Sequence, residues 1–353
     1  MIIMSEKIYI GNKEISVESP VYFVAELSAN HNQKLEDALA LIKAAKESGA
    51  DAVKVQTYTP DTITLCCNSE LFKIQSGSIW DGQFLYDLYK EAQTPWEWHE
   101  ELMHYAQKNE LDFFSSPFDK TAVEFLEHLN VPAYKIASFE LVDLPLIERV
   151  AATGKPVILS TGMATFEEID EAIRTVLSTG NEKIVLLKCT SAYPASAGDM
   201  NLRVIPYLIK KYGFPVGLSD HTLGYSIPVV AVALGACMVE KHLTLSRTIK
   251  GPDSAFSLEP HEFKKMVDFT RSAQKSLGEV TDELSESEKR NLIFRRSLFV
   301  VEDMKAGEVF TEKNVRSIRP GHGLAPKYLP SIIGKRASRN IKKGSPLNFF
   351  DIA

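Results

Sequence analysis

The sequence predicts an α/β fold: a (β/α)8 TIM barrel with an N-terminal β-hairpin, followed by a small C-terminal β-rich domain. Three observations carry this. Eight short apolar runs recur along residues 1–280, each followed by a segment of helical periodicity. A charged stretch, 281–291, then breaks the rhythm. Beyond it, strand-like pieces alternate with turn residues over 292–353. Strands alternating with helices build right-handed βαβ units on a parallel sheet, and eight such units close into a barrel. The length of 353 residues agrees. A barrel takes about 250–280 residues, and about 60 make a minimal extra module.

Lys7 to Ser16 alternates polar and apolar around Gly11-Asn12, a short hairpin. The barrel strands are YFVAELSA from Tyr22, AVKVQTY from Ala52, DFFSSPF from Asp112, AYKIASFE from Ala133, PVILSTG from Pro156, KIVLLKCT from Lys183, PVGLSDHT from Pro215 and CMVEKHLT from Cys237. Helix starts are marked too. Thr94-Pro95-Trp96-Glu97 offers a cap, a first-turn proline and a capping-box Glu, and Asp119 can cap the next helix. A last barrel helix is expected from about His261 to Leu277, with Phe263, Met266, Val267, Ala273 and Leu277 on one face. The segment Ser76–Gln93 is too long for a simple βα loop and is expected to fold over the barrel mouth. In the tail, DMKAGEVF and NIKKGSPL read as two related turns.

Composition is that of an ordinary soluble globular protein, 44% hydrophobic and 24% charged. A net charge of -6 gives no basic footprint for nucleic acid. No apolar run reaches the roughly 18 residues that span a membrane, and the first residues do not read as a signal peptide. The four cysteines, Cys66, Cys67, Cys189 and Cys237, lack zinc-site spacing and read as reduced thiols of a cytoplasmic protein.

Barrel enzymes place their sites at the C-terminal ends of the strands. Polar residues gather at those ends here: Glu26, Asn30 and His31; Lys54, Gln56 and Thr57; Ser115 and Ser116; Lys135, Ser138 and Glu140; Ser160 to Gly162; Lys188, Thr190, Ser191 and Tyr193; Ser219 to Thr222; and Glu240 to His242. Period 2 puts Ser219 with His221 on one face of a strand, and Glu240 with His242 on one face of its neighbour. The two imidazoles can therefore converge on one divalent metal and leave its other positions open. Mn2+ or Mg2+ suits an oxygen-rich remainder. Lys54 and Lys135 sit in apolar strand patterns, where an unpaired ammonium is costly. Each needs either a structural carboxylate, Glu26 or Glu140, or an anionic ligand cradled also by serine hydroxyls.

The phrases AELSANHNQ, VKVQTY, SSPF, YKIASFE, LSTGM, GLSDHT, VEKHLT and GPDSAFS, in that order, resemble the sialic acid synthase family over essentially the whole chain. The tail, with RPGHG and NIKKGSPL, resembles its antifreeze-like (SAF) domain. The insertion and Ser191 are most similar to the branch that uses a 2,4-diacetamido-2,4,6-trideoxy sugar rather than N-acetylmannosamine. The resemblance implies condensation of phosphoenolpyruvate with an open-chain amino sugar, losing phosphate by C–O cleavage. It implies a divalent metal on His221 and His242, Mn2+ foremost with Mg2+ or Co2+ as substitutes. Lys54, Ser116, Lys135, Ser138, Ser160, Ser191 and Ser219 would bind phosphoenolpyruvate, and Glu140, Tyr193, Asp253 and Arg319 the sugar. Glu26 would handle the proton of the attacking water, or simply pair with a lysine. Glu240 would support the metal shell. A domain-swapped homodimer is implied, with Arg319 reaching the neighbour's sugar. The other readings are an N-acetylneuraminic or legionaminic acid synthase, a metal-dependent or Schiff-base sugar aldolase (Lys135 or Lys188), and a carbohydrate-binding protein.

Overall fold

A computed structural model describes residues 7–353; the first six, part of the segment weighed as a leader, lie outside the described residues. The chain divides into two compact units, one ending at Gly278 and one spanning Glu279–Ala353.

In the first unit, β1 (Ile8–Ile10) and β2 (Lys13–Ile15) form the hairpin. Eight parallel strands then close a barrel: β3 (Tyr22–Glu26), β4 (Ala52–Thr57), β5 (Asp112–Pro117), β6 (Tyr134–Ile136), β7 (Val157–Ser160), β8 (Ile184–Cys189), β9 (Val216–Asp220) and β10 (Met238–His242), with β10 returning to pair with β3. Each is buried on both faces, so the strands read as continuous apolar runs. One apolar layer lies between strands and helices. A second fills the lower barrel, where Val24, Phe114, Ile158, Leu187 and Met238 pack with Ile8, Ile10 and Ile15 of the hairpin. The hairpin therefore plugs the N-terminal end of the barrel. Lys13 Nζ and Tyr22 Oη both donate to Asp112 Oδ2, at 2.9 and 2.8 Å, and fasten it there. With that end packed by apolar side chains, polar residues can converge only at the other.

Two local expectations need correction. Thr94 caps no helix; its hydroxyl meets His31 Nε2 at 3.3 Å, and a 3-10 turn, Trp96–Trp98, leads into the helix His99–Lys108. Tertiary contact has taken the side chain that local pattern assigned to capping. Pro260–Leu277 is helical, but its buried face ends at Thr270, and Leu277 is exposed. Asp119 does cap, accepting from Thr121 and Ala122 N–H.

In the second unit, β11 (Ser297–Val300) pairs antiparallel with β12 (Val315–Ile318) over a small core of Leu298, Val300, Phe310, Val315, Ile332 and Leu347. The two similar turns are partners: Met304 and Ile341 exchange backbone hydrogen bonds of 2.8 and 2.9 Å. The stretch expected as a linker carries a short helix, Glu286–Asn291, started by a Ser285–Glu288 capping box. Among the described residues no helix is long and apolar enough to cross a membrane.

Candidate active site

The polar residues at the open end lie in two levels, fixed by register. Glu240 of β10 lies opposite Ser219 of β9, and His242 lies two residues further out, opposite Glu26 of β3; Glu26 in turn faces Lys54 of β4.

The inner level is a buried ionic floor. Glu240 Oε1 accepts from Lys135 Nζ at 3.1 Å and from Ser219 Oγ at 3.4 Å, and lies 3.5 Å from Lys54 Nζ. Lys54 also pairs with Glu26 and donates to Ser116 Oγ at 3.2 Å. Gln56 Nε2 and Ser28 N–H hold the other oxygen of Glu26 at 3.4 and 3.0 Å. Sequence left the partner of Lys135 open between a carboxylate and a ligand; in the structure it is Glu240. Glu240, expected to steady the metal shell, hydrogen-bonds neither histidine, because period 2 sets it one pleat deeper than His242. It is the anionic centre of the lysine floor.

The floor is electrically uneven. Burial would depress Lys54, but Glu240 and Glu26 outweigh it and its pKa is raised. Burial also depresses Lys135, and the single carboxylate it shares does not restore it. Burial lifts the Glu26 carboxyl above the ordinary range against the pull of Lys54. In Glu240 the two lysines overcome burial and the carboxyl is lowered.

Hydroxyls complete one side. Gly162 N–H donates to Ser138 Oγ at 3.2 Å. A Cβ on Gly162 would stand 2.3 Å from Ser191 Oγ and 2.6 Å from Ser138 Oγ, so only glycine lets these hydroxyls and the N–H share one face. Ser160 Oγ is buried without a hydrogen-bond partner, as are one oxygen of Glu140 and one of Glu240. Burial pushes the Glu140 carboxyl up to about 7.

The outer level holds the imidazoles, with ring centroids 5.3 Å apart. His221 Nδ1 meets the Thr190 carbonyl at 3.2 Å, and His242 Nδ1 meets Ser28 Oγ at 3.0 Å. Each ring is oriented through Nδ1, and no protein group among the described residues hydrogen-bonds either Nε2. Burial, then the charges of His221, Lys54 and Lys135, keep His242 well below its usual pKa and thus neutral. Burial would depress His221 as well, but the Cys189 thiol beside it outweighs burial and its pKa is raised, so His221 would release its proton on taking up a cation. With each ring held by its other nitrogen, the pair fits a catalytic divalent metal. Among the described residues no cluster of three or more His, Cys, Asp or Glu is placed to ligate, so oxygens of water and substrate would complete the shell. Asp253 Oδ2 lies 3.9 Å from His242 Nδ1 and adds charge beside it.

Around the imidazoles stand aromatic rings: Tyr193 4.5 Å from His221, and Phe256 5.0 Å from His242. Trp80, from the Ser76–Gln93 segment, packs on both, so this segment does fold over the mouth. Phe256 and Ser28 were missed by sequence reasoning. Ser28 follows Glu26 by one pleat, a signal that could have placed it in the mouth; Phe256 carries no such mark.

Several residues gathered by sequence lie elsewhere. Asn30 donates to Leu243 O and Ser257 Oγ, and His31 packs edge-on to Trp98, so both brace loops. Thr57 and Ser115 bond each other at 2.6 Å, away from the floor. Lys241 is spent on Asp220 and Thr222, and Lys188 on Cys189 O and Thr190 Oγ1. Arg319 belongs to the second unit.

Fold and site together define a barrel enzyme that gathers buried lysines and serines beneath a pair of histidines at its mouth. The NeuB family pattern covers residues 41–282 and the SAF domain pattern residues 295–353. The chain belongs to the NeuB family. It is 47% identical to the pseudaminic acid synthase of Campylobacter jejuni subsp. jejuni serotype O:23/36 over 342 residues, 97% of this chain and 99% of the relative. It is 49% identical to that of Helicobacter pylori over 335 residues, 94% and 98% of the two chains. The N,N'-diacetyllegionaminic acid synthase of Campylobacter jejuni subsp. jejuni serotype O:2 is 37% identical over 91% of this chain and 96% of its own. Among solved structures, the N-acetylneuraminic acid synthetase of Leptospira borgpetersenii matches with a TM-score of 0.72 and 35% identity, over 82% of this chain and 95% of that one.

Proposed function

We propose that this chain is a pseudaminic acid synthase. It condenses phosphoenolpyruvate with the open-chain form of 2,4-diacetamido-2,4,6-trideoxyaltrose and water, giving pseudaminic acid and phosphate. The observation that carries the chemistry is the two-level mouth, a lysine–serine floor below two imidazoles with free Nε2 edges. The choice of sugar is supported by 47–49% identity to pseudaminic acid synthases against 37% to diacetyllegionaminic acid synthases.

In this reading phosphoenolpyruvate lies on the floor. Its carboxylate and phosphate meet Lys54 and Lys135 and the hydroxyls of Ser116, Ser138, Ser160, Ser191 and Ser219. Charge-assisted hydrogen bonds of this kind are the strong ones. A divalent ion held by His221 and His242, Mn2+ first with Mg2+ or Co2+ as substitutes, would supply Lewis-acid polarisation of the aldehyde oxygen. The enol carbon attacks the aldehyde carbon, and positive charge develops at the adjacent phosphate-bearing carbon. Water adds there; one of its protons passes to Glu26 and makes up for the proton that the former aldehyde oxygen takes up as it becomes a hydroxyl, and the other leaves with the phosphate as the C–O bond breaks and the ketone forms. A raised carboxyl is the better proton acceptor near neutrality. Glu140, Tyr193 and Asp253 touch the sugar. The reading extends to a cytoplasmic homodimer whose SAF domain brings Arg319 to the neighbour's sugar.

The test is phosphate release from phosphoenolpyruvate labelled with 18O in the bridging position, with Mn2+, comparing the diacetamido sugar with N-acetylmannosamine, with and without a chelator. Labelled phosphate, chelator-sensitive and formed only with the first sugar, supports the reading. Release only with N-acetylmannosamine moves the chain to the neuraminic acid branch. No release with either rejects it. Sedimentation tests the dimer, and a fully active monomer would remove Arg319 from the neighbour's sugar.

A further inference from the structure

We infer that Trp80 selects the far end of the sugar, C4 to C6, for methyl-bearing over hydroxyl-bearing groups; this rests on the synthase reading above. Trp80 is carried by a segment that is built to hold it in place. Asp81 accepts hydrogen bonds from the backbone N–H of Ser76, Gly77 and Ser78 at 2.9–3.0 Å, tying the turn around one carboxylate. Ile74 and Gln83 close its base with a 2.9 Å backbone hydrogen bond. The indole N–H donates to the Pro252 carbonyl at 2.9 Å, which anchors the ring to the loop that follows β10.

That anchor also sets the ring's chemistry. With its one polar group used, Trp80 offers only apolar surface. Its ring lies 5.5 Å from Tyr193 and 6.2 Å from Phe256, and these two lie 4.5 and 5.0 Å from His221 and His242 respectively. Trp80 is thus one aromatic ring further out than the imidazoles by either route. A sugar whose C1 aldehyde sits at the imidazole end has its distal carbons beside Trp80.

The two sugars differ at that end. The diacetamido trideoxy sugar carries a C6 methyl and the methyl of a 4-acetamido group, which gain by leaving water. N-acetylmannosamine carries hydroxyls at C4 and C6, which would lose water against an indole face whose one polar group is already bonded to Pro252.

The experiment is steady-state kinetics of the full chain with both sugars for the wild type, Trp80→Ala, Trp80→Phe and Trp80→Gln. Hydrophobic contacts of this kind discriminate by about 10–200-fold, so Trp80→Ala is expected to raise KM for the diacetamido sugar by at least about tenfold. Its kcat and its KM for phosphoenolpyruvate should stay within about threefold, and selectivity between the sugars should fall by the same factor as KM rises. Trp80→Phe should retain most of the selectivity, because it keeps an apolar face. Trp80→Gln should lose it, and serves if the alanine variant does not fold. Unchanged selectivity in a folded Ala or Gln variant overturns the inference. So does a Phe variant as unselective as Ala, which would make the Pro252 anchor, and not the apolar face, decisive. A wild type inactive on the diacetamido sugar instead rejects the functional reading itself, before any variant is compared.

Discussion

Replacing Lys135 with methionine separates neutralising Glu240 from binding an anion. Lys135 Nζ is 3.1 Å from Glu240 Oε1, and Lys54 Nζ is 3.5 Å from the same oxygen. At an effective dielectric of about 20, each lysine attracts that oxygen by about 5 kcal/mol before desolvation is deducted. Breaking a buried pair costs about 3–5 kcal/mol when the remaining charge is left alone. Glu240 keeps Lys54 and Ser219, so the loss should be about half of that, roughly 2 kcal/mol, or roughly 5 °C in the barrel's unfolding midpoint. Phosphoenolpyruvate loses more. Lys54 already serves two carboxylates while Lys135 shares one, so Lys135 has the more charge to give an incoming anion. Losing one hydrogen bond to a charged group, about 1.5–3 kcal/mol, weakens binding about 10- to 150-fold. Calorimetric titration of phosphoenolpyruvate into metal-free protein measures this directly. Adding Glu240→Gln should return much of the midpoint without returning the affinity. A Kd within about twofold of wild type in the single variant would refute the reasoning, and Lys135 would then be present only to neutralise Glu240.

Three further outcomes are expected. Gly162→Ala sets a methyl 2.3 Å from Ser191 Oγ and 2.6 Å from Ser138 Oγ, and should raise KM for phosphoenolpyruvate at least about tenfold with little change in circular dichroism. Glu140 titrates near 7 in the folded chain, against an ordinary 4.5, because it is buried. The folded state therefore keeps a proton that the unfolded chain releases, and this group's contribution to stability falls as pH rises from about 4.5 to 7. Urea midpoints of Glu140→Gln should show a correspondingly shallower fall over that window than wild type, and parallel curves would contradict it. Chelation should abolish phosphate release, and Mn2+ should restore it in wild type but not in His221→Ala, measured by a phosphate-coupled assay.

The barrel was legible because its strands are buried on both faces and so read as unbroken apolar runs. The levels of the mouth were legible because a two-residue period separates Glu240 from His242 and Ser219 from His221 without any knowledge of neighbours. What a strand's own pattern does not contain is register between strands. Whether Lys135 meets Glu140, five residues away in sequence, or Glu240, across the barrel, is decided by strand pairings far apart in the chain. Thr94 failed for the same reason: Thr-Pro is a sound local cap signal, but His31, from another loop, holds the hydroxyl.

The register also changes the weight of the lysine argument. A buried lysine with no partner would require an anionic ligand, and the sequence supports that inference only while no carboxylate is placed beside it. The structure supplies two, so the cost of burying Lys54 and Lys135 is met within the protein and burial alone no longer points to a ligand. What points to one is the imbalance that remains. Lys135 stays depressed beside a carboxylate it shares, while Gly162 keeps open a face of hydroxyls and one N–H. A purely structural ion network would have no use for a glycine that holds two serine hydroxyls apart from any side chain. It would also leave no buried Ser160 hydroxyl without a partner.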